Sequence, residues 1–215
     1  MATCNPAAPA GGAKCEWSGY LGQVIPYLVT PDPDVAKPPN SMVLAFIRDA
    51  AEELIHSVGL LRDSYCGMLQ YGVAEIPLVL PEGRTLVKVN QVRVAGGRSV
   101  GFDMVGNDMV VLHDRPCEDV EDGYTIGYSY AVPLDECMVP PELCAMGPKF
   151  KTALRHQVLV YLYGMAGMPW GNLQERNNAE TRLVKAIGDL KDSLNTGSRT
   201  RRSTSAKLEA LFWAM

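Results

Sequence analysis

The chain has 215 residues, 47% of them apolar and 20% charged, with a formal net charge of -4. That length supports one large domain, or one domain with appendages, with a sizeable core, and the negative balance excludes a protein whose whole surface grips nucleic acid. No stretch reads as long and apolar enough to cross a bilayer, and the opening MATCNPAAPAGGAKC lacks the basic-then-apolar pattern of a secretory signal.

The charge is uneven. Residues 197–215 hold Arg199, Arg201, Arg202 and Lys207 against Glu209, a local net of +3, so the remainder sums to -7. A basic tail on an acidic body suggests a tail that docks elsewhere. The six cysteines (Cys4, Cys15, Cys66, Cys117, Cys137 and Cys144) show no CxxC pairing. In a chain of this size without a signal, reduced thiols are expected.

In chain order, residues 1–16 are rich in Ala, Gly and Pro and read as a mobile arm. WSGYLGQVIPYLV (17–29) is apolar enough to pack, as a short helix before Pro26. TPDPDVAKPPN (30–40) is proline-rich and must be extended, because proline fixes φ and restricts its predecessor. A helix follows, capped by Asn40 or Ser41. Val43, Ile47, Ala50, Leu54 and Val58 keep helical spacing, and Ala51 and Ile55 widen the stripe. Arg48, Asp49, Glu52 and Glu53 mostly take the other side, and Gly59 marks the end or a kink.

From about 70 to 133 the period changes. AEIPLVLPEG reads as an edge strand, since Pro77 cannot donate to a ladder. TLVKVNQVRV alternates but slips phase at Asn90–Gln91, which predicts a bulge. AGGRS turns the chain, and Gly106–Asp108 turns it again. In YTIGYSYAV, Tyr124, Ile126, Tyr128, Tyr130 and Val132 share one face, while Thr125, Gly127, Ser129 and Ala131 share the other. Four or five such strands predict an antiparallel meander or small sandwich.

Helices return after VPPE. Phe150, Ala153, Leu154, Val158, Tyr161, Leu162 and Met165 form one apolar stripe; Ala179, Leu183, Ile187, Leu190 and Leu194 form the next. Between them lies GMAGMPWGNLQ. Pro169 stops the first helix. Asn172 with Glu175 fits a capping box with Asn in the Ser/Thr place, and Trp170 plugs the gap between helix ends. NTGSRTRRSTS (195–205) reads as a polar linker. AKLEALFWAM then places Leu208, Leu211, Phe212 and Met215 on one possible helical face.

No GxSxG, HExxH, phosphate loop, GxGxxG or EF-hand loop is present. His56, His113 and His156 are far apart in sequence, and a lone helical histidine is usually a polar surface residue. Cys117, Cys137 and Cys144 with His113 match no common zinc module and read better as small buried side chains. CEDVEDG (117–123) lacks the alternating oxygen ligands of a calcium loop and reads as a solvated turn. Glu75, Glu82 and Asp103 show no glycosidase-like pairing. Tyr124, Tyr128 and Tyr130 are either a glycan or base platform or strand packing, and packing is favoured. No metal, cofactor or catalytic residue is expected.

TPDPDVAKPPNSMVLAFIRDAAEEL resembles the entry helix of head-to-tail adaptor proteins of tailed bacteriophages, especially short-tailed ones. IPLVLPEGRTLVKVNQVRV is similar to their Leu-Pro-x-Gly turn and Val-rich strand. GMAGMPWGN is similar to their helix–Met-Pro-x-x-Trp–helix corner. The resemblance spans about residues 28–196. It implies a non-enzymatic dodecameric ring beneath the portal, at the virion neck, assembled in host cytoplasm. Its partners would be the portal protein, a tail or nozzle protein, its own copies, and genomic DNA passing without sequence-specific contact; a tail-completion or stopper protein is the related alternative. The six cysteines and the long Ala/Gly/Pro start depart from the pattern.

The expected architecture is therefore α+β: an antiparallel helical bundle with an inserted β meander or small sandwich and an extended C-terminal tail. Residues 1–40 would be an arm, 41–196 the adaptor domain, and 197–215 the portal-docking tail. Arg199, Arg201, Arg202, Leu208, Leu211, Phe212 and Trp213 would dock; Pro169, Trp170 and Asn172 would build the corner.

Overall fold

The computed structural model describes residues 15–30, 36–69, 72–94, 98–113 and 120–212, without the side chains of 68–69, 120–122 and 196–212. The chain combines helices with antiparallel sheets, an α+β fold. It divides into two compact units. One holds Glu52–Asp135 and Pro140–Cys144; the other holds Cys15–Ala51, Glu136–Val139 and the chain from Ala145 onward.

The second unit is mostly helical. A short segment runs through 3-10 turns and helix α1 (Leu21–Val24), with Pro26 inside the last turn, and buries Trp17, Tyr20 and Val24. The Trp17 amide donates to the Cys137 carbonyl at 3.1 Å, and the Val139 amide donates to the Cys15 carbonyl at 2.9 Å. Helix α2 (Asn40–Leu54) starts directly after Pro39, whose carbonyl accepts from the amides of Met42 and Val43. Asn40 and Ser41 therefore lie inside the first turn rather than at the cap position expected of them. Val43, Ile47, Ala50 and Ala51 are buried, as the spacing requires. Helices α4 (Pro148–Tyr163) and α5 (Leu173–Phe212) pack as a hairpin. Its antiparallel sense follows from close approaches at both ends, Tyr163 to Asn172 and Lys149 to Asp189. The Phe46 ring of α2 lies 5.6 Å from that of Tyr161 on α4.

The first unit begins with the end of α2, where Leu54, Ile55 and Val58 are buried. The helix widens into a π turn over Ile55–Gly59. Gly59 has φ +67°, a conformation that L side chains rarely adopt. A Cβ there would also lie 2.8 Å from Ser129 Oγ. The buried Ser129 hydroxyl accepts from Asn90 Nδ2 at 2.9 Å and donates to the Gly59 carbonyl at 3.3 Å. The turn is thereby tied to the sheet through a fully satisfied buried hydroxyl.

Two antiparallel sheets follow. The larger has the order β1-β7-β3-β4, from β1 (Leu61–Leu69), β7 (Val120–Ala131), β3 (Thr85–Val94) and β4 (Arg98–Val100). The smaller has the order β2-β6-β5, from β2 (Glu75–Pro77), β6 (Met109–Leu112) and β5 (Phe102–Val105). β2 is an edge strand, as Pro77 requires. β3 shifts register between Val89 and Gln91, at the expected bulge, and again between Leu86 and Lys88. The short α3 (Pro141–Cys144) buries Leu143.

Several expectations are corrected. The larger sheet is not a sequential meander: β7 lies between β1 and β3. β1 (Leu61–Leu69) lies before the expected strand region; it carries Asp63 and Gly67, types depleted in strands, and pairing with β7 supplies what propensity lacks. The α5 backbone stays helical across 195–205 to Phe212, so this part of the tail is not extended. A helix already nucleated by 173–194 adds a hydrogen bond for each further residue, and no proline interrupts it. Cys15, Cys66 and Cys144 are disulfide-bonded rather than reduced; bridging depends on Cα approach, which linear spacing does not reveal.

Candidate docking interface

The corner between α4 and α5 is built locally. The Gly164 amide donates to Val160, Met168 to Met165, and Gly171 to Met168. Gly167 takes φ +80°. A Cβ on Gly171 would run into the Met165 carbonyl, so the chain can pass there only as glycine. Asn172 Oδ1 accepts from the amides of Gln174 at 3.0 Å and Glu175 at 3.2 Å, the forward half of the expected cap. The return half differs: the Asn172 amide donates to the Tyr163 carbonyl at 3.0 Å, tying the start of α5 to the last turn of α4. Exposed Pro169 precedes Trp170, which is only 5% exposed. Its Nε1 is buried and has no hydrogen-bond partner among the described residues. Asn172 caps α5 as its type predicted, but α4 already ends at Tyr163 with Gly164 as its C-cap, so Pro169 does not stop that helix.

Below the corner, α4 and α5 frame a cleft of about 340 Å³. Lys149, Thr152 and His156 line it from α4, and Arg182, Lys185 and Asp189 from α5. On each helix these positions are three, four or seven apart, one face of an α-helix. Lys149 Nζ donates to the Asp189 backbone carbonyl at 3.2 Å. Among the described residues, Arg182 and Lys185 make no ion pair. His156 Nδ1 is buried without a described partner. Burial, then the positive charge of Arg155 and Arg182, pushes the His156 pKa down. Sequence reasoning singled out His156 but missed the cleft. The two polar faces are readable by spacing; that they face each other depends on hairpin register.

Arg199, Arg201, Arg202, Leu208, Leu211 and Phe212 lie on the helical backbone of α5, with their side chains outside the described residues. Trp213 lies outside the described residues altogether, as do the arm before Cys15 and the start of CEDVEDG.

The tyrosine ladder is core. Tyr124, Tyr128 and Tyr130 are buried. Burial, together with Tyr65, pushes the Tyr124 hydroxyl up to about 12, and burial raises Tyr128 and Tyr130. The Arg84 guanidinium sits 4.1 Å from the Tyr130 ring centroid and pairs with Asp63 at 2.6 Å. The ring faces are thus occupied by packing. His113 pairs with Asp103 at 3.1 Å on the exposed surface. Glu75, Glu82 and His56 are exposed. Of the imagined zinc set, Cys144 is disulfide-bonded, Cys137 is exposed, and Cys117 lies outside the described residues. Among the described residues no group of three or more His, Cys, Asp or Glu is placed to hold a metal ion, and no helix is long and apolar enough to cross a membrane.

No family model and no curated protein matches this chain.

Proposed function

We propose that the chain is a head-to-tail adaptor of a tailed bacteriophage: a structural, non-enzymatic subunit of a ring beneath the portal, joined to a tail or nozzle protein and surrounding the DNA exit channel. The observation that carries this reading is the α4–corner–α5 hairpin. Its second helix has 40 residues against 16 in the first, which corresponds to a rod of about 60 Å. A rod with a basic stretch and an apolar end suits insertion between portal subunits, where repetition around a ring turns modest affinity into firm attachment. In this reading α2, α4 and α5 act as a helical bundle, and the two sheets form a small sandwich. The net-negative body suits a channel that must not hold phosphate.

Cryo-electron tomography of virions labelled with antibody against this chain tests the proposal. Label at the head–tail junction supports it. Virions without label, or label confined to tail fibres, overturn it.

A further inference from the structure

The geometry points to the α4–α5 cleft as the receptor for the acidic face of helix α2 of a second copy of this chain. The inference rests on the ring reading above and names the contact that would close the ring.

The cleft offers three cations in a space of about 340 Å³: Lys149, Arg182 and Lys185. Clefts of a few hundred cubic ångströms accommodate a short segment or a few side chains, not a duplex. Lys149 is held by the Asp189 carbonyl, so that its charge is positioned before a ligand arrives. Arg182 and Lys185 are exposed and make no ion pair among the described residues. The arrangement fits carboxylates, which a guanidinium recognises well.

The same chain supplies them. Asp49, Glu52 and Glu53 are all exposed and fall within about one turn of α2. They present three negative charges on a convex helical ridge. A ridge entering the groove between two helices is ordinary helix packing. Cleft and ridge are different patches, so the contact is heterologous, the kind that builds rings rather than closed dimers.

The test uses the full-length chain in sedimentation velocity at low salt. The unaltered protein should self-associate with rising concentration and lose that association as salt screens the pairs. R182E/K185E and E52K/E53K change only exposed positions, so both should stay folded, which circular dichroism checks. Each alone should weaken self-association by about tenfold or more, because like charges then face one another. Mixing the two variants should restore it. The reversed cleft of one accepts the reversed ridge of the other, while their unaltered patches still pair. The inference fails if the unaltered protein is monomeric throughout, if either variant associates normally, or if the mixture stays dissociated. It also fails if R182E/K185E loses retention on duplex DNA while keeping self-association, which would assign the cleft to phosphate. None of these outcomes bears on virion labelling, so the adaptor reading stands or falls separately.

Discussion

Replacing Trp170 with alanine measures how much the corner stabilises the helical hairpin. The side chain is 5% exposed. A buried indole removes roughly 200 Å² from water, worth about 5 kcal/mol at ~25 cal/mol per Å². Large-to-small aromatic changes in cores cost about 3–5 kcal/mol. Against this stands the indole N–H, buried without a described partner; its removal returns about 1–2 kcal/mol of desolvation cost. The net expectation for Trp170→Ala is a loss of about 3 kcal/mol. Trp170→Phe keeps most of the bulk and deletes the donor, so it should cost under about 1.5 kcal/mol. Urea melts followed by far-ultraviolet circular dichroism report the helical signal. An alanine variant within about 1 kcal/mol of the parent would refute the reasoning and show that the site tolerates a void.

Gly171→Ala should destabilise the hairpin severely, since its methyl meets the Met165 backbone oxygen rather than a flexible side chain. Gly167→Ala, in open space at φ +80°, should cost only about 1 kcal/mol; equal melts for the two would refute the distinction. Alkaline pH should unfold the sheet unit. Tyr124, Tyr128 and Tyr130 have raised pKa values, so the unfolded chain deprotonates first. Their contribution is full below the ordinary tyrosine range and lost as pH rises through about 12 for Tyr124. Tyr124→Phe should flatten this fall in thermal melts taken across that range, and an unchanged slope would refute it. Truncation after Thr196 should leave the melting curve nearly unchanged and abolish capture by the portal. Arg199, Arg201 and Arg202 to Ala should weaken capture most at low salt, and a truncated chain that still binds would move the dock to the hairpin.

Short-range rules made much of this protein legible from its residues. The stripe Val43, Ile47, Ala50, Ala51, Leu54, Ile55 and Val58 is buried along its whole length, because period and apolarity need no distant information. The phase slip in β3 and the Asn172 cap were readable for the same reason. Other features depended on parts of the chain that are far apart. β1 exists as an edge because β7, some sixty residues later, satisfies its backbone, despite side chains that disfavour a strand. β7 enters between β1 and β3, an order that no local pattern encodes. Ser129, on the strand face it shares with Thr125, Gly127 and Ala131, is buried and bonded to Asn90 and to the Gly59 carbonyl, partners far from it in sequence. The thiols of Cys15, Cys66 and Cys144 read as reduced because pairing is a matter of approach in space. The cationic cleft has the same origin. Lys149 and His156 on one helix and Arg182 and Lys185 on the other are ordinary polar faces until hairpin register sets them opposite one another. Sequence alone determined which face α2 would bury; tertiary structure decided which distant groups share a site, because only packing brings them within reach of a common partner.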